Sequence, residues 1–370
     1  MSTLSSLPPA LVPGVIMILM IVLLVVLYYA IPRLTRPDIY FAVTVPPDFR
    51  DSAEGRAILG RYRLELVIYG AIAIAVALSG LWIPQPSSVI VIVAGLILQP
   101  VGAFIAYYRA RRRVMPYAVP PATLREAALT PHQVRLPGGW MVQAGPFALL
   151  AAVAVWLELH WSEIPNRFPI HWGIDGRPNG WATRSVAGVF APLAIGALIC
   201  ALLGFLAYAI LRWSRVIQVG TVAGENEQCF RRIAVSVLIA TEYLLALVFG
   251  WTGLLALSTT QSTPAGVPVI LVLSLGFTLV VTILLFRVGQ GGSRLAVGVG
   301  SATAVPVGDR TADRYWKLGL FYVNHDDPAV IVEKRFGIGY TLNFGRPGTW
   351  LMVAMLTAVV ILAIVLAPHH

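Results

Sequence analysis

Eight long stretches of this chain carry almost no charge, near residues 10–31, 65–83, 88–108, 146–160, 187–212, 232–257, 267–286 and 349–367. A hydrocarbon layer offers backbone amides no water to bond with. A segment that crosses it must therefore satisfy its own hydrogen bonds as an α-helix, which takes about 20 apolar residues. The fourth stretch reaches that length only if residues 140–143 belong to it. With 58% hydrophobic and 12% charged residues, the composition points away from a soluble core. The fold expected is an all-α integral membrane protein with eight transmembrane helices.

Charge gives the orientation. Segments 32–64, 109–145, 212–232 and 287–348 hold six, six, four and eight of the 27 Lys and Arg residues, whereas the alternate loops hold only Arg167, Arg177 and Arg184. Short basic loops stay on the cytoplasmic side, which predicts that both termini are extracytoplasmic. Residues 1–10 carry no Lys or Arg, and the apolar stretch after them outruns a signal-peptide core, so the first helix is expected to remain as a span. The net charge of +10 follows from this topology, and direct nucleic-acid binding is not expected. Membrane lipids are the expected partner of the basic loops, with Arg109, Arg111, Arg112 and Arg113 anchored at the headgroups. Cys200 inside a span and Cys229 in the cytoplasm would not pair, and no metal-ligand spacing or cofactor motif is present.

The chain divides into 1–64 (first helix and a cytoplasmic strand–helix segment), 65–145 (a helical hairpin and basic loop), 146–212 (helix, outer loop, helix), 213–286 (helices six and seven), 287–348 (cytoplasmic linker and β unit) and 349–370 (last helix). Residues 40–45 alternate as a strand would, and Asp51 with Glu54 gives a capping-box start to the next helix. Pro121 opens a short helix over 124–129. Residues 289–307 are expected to be a flexible connector. Gly289-x-Gly291-Gly292 lacks the preceding strand and following Lys of a phosphate loop. Strands at 318–323, 329–332 and 337–343, with a tight reversal at 324–328, would form the small cytoplasmic β unit before the last helix.

The most specific stretch is the loop between the fourth and fifth helices. A strand ends at His171-Trp172, a turn contains Asp175-Gly176, and an aromatic and basic return passes Trp181 and Arg184. Trp161, Trp172 and Trp181 suit the headgroup level, and His171 is expected to hydrogen-bond across its own turn. The pattern Pro169-x-His171-Trp172, then Gly176-x-Pro178, then Trp181 resembles domain of unknown function 1648, found in proteins similar to the SdpI immunity family. Residues 40–47 with Arg61-Tyr62-Arg63 resemble its usual companion, and Tyr322 through Arg346 resembles domain of unknown function 5808. The chain departs from the first pattern at Gly173 and Asn179, where Asn and Asp are commoner. The resemblance implies a polytopic protein of the bacterial inner (plasma) membrane, immunity to a membrane-active peptide, and signalling to a cytoplasmic regulator.

Glu242, in Thr241-Glu242-Tyr243, is the acid placed deep within a span. Such a group costs several kcal/mol unless it is neutral, paired or wet, so two readings stand: proton or cation coupling, or a neutral acid hydrogen-bonded to Gln99 or a tyrosine hydroxyl. Gly196, Cys200 and Gly204 make a small-residue stripe expected to pack within the bundle. Glu158, His160, Glu163 and His171 are of types that hold catalytic zinc, yet their spacing is not that of a zinc-protease helix, and structural roles are preferred.

The function expected is that of a membrane protein of uncharacterised activity, of the SdpI-like immunity or signalling kind, with no catalytic residue assigned. A peptide or envelope ligand outside would meet His171, Trp172, Asp175, Gly176 and Trp181, and a cytoplasmic regulator would meet Lys334, Arg335, Tyr340 and Asn343. The rivals are a proton- or cation-coupled transporter using Glu242 and a membrane-embedded metal hydrolase.

Overall fold

The computed structural model describes residues 11–83, 87–121, 135–172, 177–215, 222–258, 264, 266–295 and 311–366. Its helices are α1 (Leu11–Leu34), α2 (Ala53–Ser79), α3 (Ser87–Val114), α4 (Gly139–Leu159), α5 (Val186–Trp213), α6 (Val222–Leu254), α7 (Gly266–Val288) and α8 (Pro347–Leu366). Among the described residues, eight helices are long and apolar enough to cross a membrane. The strands are β1 (Ile39–Tyr40), β2 (Val43–Thr44), β3 (Arg167–Trp172), β4 (Pro178–Thr183), β5 (Trp316–Lys317), β6 (Phe321–Tyr322), β7 (Ile331–Glu333) and β8 (Tyr340–Leu342), in four two-stranded sheets.

Helix α4 includes residues 140–143 and so reaches 21 residues. Helix α6 starts ten residues before the apolar stretch that marks it. Its first turns are polar, held partly by an i,i+4 pair between Glu227 and Arg231 at 3.7 Å, which hydropathy does not register. The helix expected at 124–129 lies outside the described residues.

The chain forms two compact units. The first comprises residues 1–126, 288–323 and 333–341. Within it α2 packs along α3 and α1 rests on both. Met17, Ile21, Ala73 and Ala77 fill one end, and Tyr40, Phe41, Tyr62, Tyr107 and Val114 fill the other. The cap of α2 is Ser52, whose hydroxyl oxygen accepts from Gly55 N at 3.0 Å, and not Asp51 as the spacing predicted. Ser52→Ala should therefore lower stability by about 1 kcal/mol and Asp51→Ala by much less, as thermal unfolding would measure.

Residues 40–45 are a hairpin, not one strand. The chain reverses at Phe41 and Ala42, with φ of 46° and 61°, as a two-residue hairpin loop demands. Left-handed backbone costs a non-glycine residue about 1–2 kcal/mol, which the burial of Phe41 offsets. The beginning of the expected flexible connector is ordered. Gln290 is buried in a tight turn, donating from Nε2 to Gly339 O (3.0 Å) and accepting from Gly339 N (2.7 Å). The three-stranded platform is also replaced. Strand β6 pairs with β5, because Leu318 and Gly319 turn left-handed (φ 54° and 74°) and close a hairpin.

The second unit comprises residues 127–287, 324–332 and 342–370. Helix α5 packs on α6, α4 lies against both, and α8 lies against α5. Leu150, Leu157, Phe168, Ala182, Val189, Leu193 and Cys200 form its core. The Gly196 stripe packs inside this unit, as expected: a Cβ on Gly196 would sit 2.6 Å from Phe249 Cβ. Helix α7 is apolar all round, and its membrane-length window contains no buried residue.

Candidate functional site

The β3–β4 hairpin carries the described part of the first residue set. Arg167 pairs with Thr183, Phe168 with Ala182 and His171 with Gly180, and the register shifts on both sides of His171. Phe168 and Ala182 point into the core of the second unit, and the hairpin packs against α5 and the turn Leu255–Leu257 that follows α6. His171 is exposed, and its Nδ1 hydrogen-bonds to Asn179 Oδ1 across the hairpin. The Arg167 guanidinium lies 5.0 Å from the Trp181 ring centre, a cation–π geometry. Trp172 is half-buried, and Asp175 and Gly176 lie outside the described residues. Arg184 donates to Ile164 O at 2.9 Å, and Ser185 caps α5 by accepting from Gly188 N at 3.0 Å. The hairpin thus runs into α5 with no slack between them.

Farther along α5 and α6 lies Glu242, with no exposed surface. Its partner is Gln143 of α4, which donates from Nε2 to Glu242 Oε2. Gln99, in the first unit, makes no side-chain hydrogen bond among the described residues. Tyr243 donates to Val142 O at 2.8 Å, and the Cys200 thiol donates to Glu242 O at 3.5 Å. Gly204 makes room, since a Cβ there would fall 2.6 Å from Gln143 Nε2. Gln143 escaped the sequence reading because it sits at the polar edge of a short apolar stretch.

Residues expected to form a cytoplasmic partner surface separate. Arg335 and Asn343 are buried, at 3% and 0% exposure, so neither belongs to a surface. Lys334 is exposed and Tyr340 half-buried. In the first unit Arg335 donates to the Asp313 carboxylate, to Thr311 O and to Ala42 O, and lies 5.3 Å from the Trp316 ring centre. Arg111, expected at the lipid surface, is buried and donates to Ala42 O at 2.6 Å. Asp313 in turn accepts from the Thr44 hydroxyl at 2.7 Å. A Cβ on Gly319 would lie 2.8 Å from both Ala42 Cβ and Arg111 Nη1, so the β5–β6 turn presses on the tip of the β1–β2 hairpin. Nearby, Tyr40 donates to Gly55 O at 3.0 Å, and burial pushes its phenol up to about 12, so it stays a donor.

In the second unit Asn343 uses its whole amide. Oδ1 accepts from Asn324 N (3.0 Å) and Gly345 N (3.1 Å), and Nδ2 donates to Asn324 O (2.8 Å), Ala329 O (3.0 Å) and Asp327 O (3.3 Å). Asp327 accepts from Arg215 at 2.7 Å.

Glu158, His160 and Glu163 do not converge with His171 on a metal site; His160 bonds instead to Trp156 O at 2.9 Å and stacks on that ring. Among the described residues no three His, Cys, Asp or Glu side chains gather as ligands.

The chain matches the family described as "Domain of unknown function (DUF1648)" over residues 147–196, which takes in most of α4, the β3–β4 hairpin and the start of α5. It also matches "Family of unknown function (DUF5808)" over residues 325–350, the segment that contains Asp327, Arg335 and Asn343. These are the two domains whose motifs the sequence resembles. No curated protein and no solved structure matches the chain.

Proposed function

We propose that this is a multi-pass bacterial inner-membrane protein, with both termini extracytoplasmic, that senses a peptide or envelope ligand through the β3–β4 hairpin. The response passes to a regulator on the cytoplasmic side, as the resemblance to the SdpI immunity family implies. One observation carries the reading. The hairpin with His171, Trp172 and Trp181 enters α5 through the Ser185 cap, and the same helix carries the stripe beside Glu242. One helix joins a hairpin that bears the exposed His171 and the half-buried Trp172 and Trp181 to a buried acid, and binding at the hairpin would bias that helix. Lys334 and Tyr340 remain as candidates for the regulator's surface. Coupled transport, the second reading, draws its support from Glu242 alone.

The test is protection against a membrane-active peptide toxin in a deletion strain complemented with the protein. Replacing both His171 and Trp181 by Ala should raise sensitivity about tenfold, the effect of losing one aromatic anchor, at unchanged protein abundance. Sensitivity equal to that of the wild type dismisses the immunity reading.

A further inference from the structure

Among the described residues, Glu242 Oε1 and Gln143 Oε1 are both buried without a hydrogen-bond partner, although the two side chains already face each other through the Gln143 Nε2 to Glu242 Oε2 bond. A carboxylate only accepts, so an ionised Glu242 could not engage the amide oxygen. A neutral acid has a hydrogen to give, and the Gln143 carbonyl is an acceptor lacking a donor.

Among the described residues, the surroundings contain no counter-ion. From α4 the facing groups are Gln143 and the carbonyl of Val142, which Tyr243 occupies. From α5 they are Cys200, whose thiol donates to the Glu242 backbone, and Gly204. On α6 itself, Thr241 donates to Val237 O at 2.7 Å. The nearest charge along α6 is Arg232, ten residues or about 15 Å of helix away. On α5, Arg212 lies eight residues beyond Gly204, about 12 Å, and on α4, Glu158 lies fifteen residues beyond Gln143, about 22 Å. Helix α8, packed on α5, has no ionisable residue. Gly204 shapes the pocket for both groups: a Cβ there would lie 2.6 Å from Gln143 Nε2 and 3.6 Å from Glu242 Oε1.

We infer that Glu242 and Gln143 form a proton-binding site between α6 and α4, in which Glu242 carries a hydrogen on Oε1 at neutral pH and closes a two-bond acid–amide pair. The ligand is a proton, and the site is a specific instance of an intramembrane acid kept for a purpose. Loss of that proton exchanges one hydrogen bond for a buried charge and loosens α6 from α4. The apolar character of the surroundings rests on the membrane reading above; the pairing itself does not.

Infrared difference spectra of the full-length protein, wild type minus Glu242→Gln, test the site in liposomes and in detergent at neutral pH. The result expected is the carbonyl band of a neutral carboxylic acid. A carboxylate pair of bands in its place overturns the proposal. Dicyclohexylcarbodiimide, which reacts with protonated carboxyl groups in apolar surroundings, should label the wild type at Glu242, as peptide mass spectrometry would locate. Thermal unfolding supplies a further arm. Glu242→Gln places an N–H where the O–H is proposed and should melt with the wild type, whereas Glu242→Leu should melt lower. Equal losses in the two variants would rule out the two-bond pair. Flotation of the liposomes checks insertion separately: failure to float sinks the membrane reading, and the band in detergent still decides the proton.

Discussion

Replacing Asn343 by Leu should destabilise the protein by about 3–5 kcal/mol, because it removes at once the hydrogen bonds that a buried amide makes to two N–H groups and three carbonyl oxygens of the 324–345 turn. Each abandoned group has an unmet desolvation cost of about 1–3 kcal/mol, part of which local relaxation and water recover. Asn343→Asp should be no better, although it differs by a single group. The carboxylate can still accept from Asn324 N and Gly345 N. It has no hydrogens for the oxygens of Asn324, Asp327 and Ala329, and it sets a charge against them. Asp327→Ala removes a partly exposed pair with Arg215 and one bond from Ala329 N, for which about 1 kcal/mol is expected. Thermal unfolding ranks the three variants, and hydrogen exchange over residues 324–332 shows whether the turn opens before the helices do. Equal stability of Asn343→Asp and wild type would mean that the amide hydrogens hold nothing.

The eight helices were legible in the sequence because the constraint on them is local: a long uncharged stretch has one way to hide its amides from lipid. The bond across the hairpin from His171 was legible for the same reason, since Asn179 is only eight residues away. What depends on distant partners was not. Arg111 sits in a run of arginines that reads the same whether it faces headgroups or a buried carbonyl, and the carbonyl it meets lies 69 residues away. Arg335 meets Ala42 across 293 residues. Phe41 and Ala42 are not turn formers, so no residue type announced their reversal; contacts made elsewhere in the unit impose it. Asn343 was visible as part of a motif, and its burial shows the motif to be a strut.

Arg335→Ala should destabilise the protein by about 2–3 kcal/mol, because it removes a buried cation hydrogen-bonded to three acceptors, while the Asp313 carboxylate left behind is 28% exposed and partly hydrated. Its side chain is 1% exposed and its guanidinium serves Asp313, Thr311 O and Ala42 O together. Without it, Asp313 keeps the Thr44 hydroxyl and amide but loses its Arg335 ion pair, and the Ala42 carbonyl keeps its bond from Arg111. Arg335→Lys should recover little. A single ammonium cannot present the planar fork that reaches three acceptors, nor lie as flat over Trp316. A double-mutant cycle with Asp313→Ala separates charge from shape: the double variant should lose less than the sum of the singles by about 1 kcal/mol or more, because the second change removes the stranded carboxylate. If Arg335→Lys instead unfolds with the wild type, the site needs only a positive charge. The two carbonyl bonds would then contribute nothing to holding the hairpin turn.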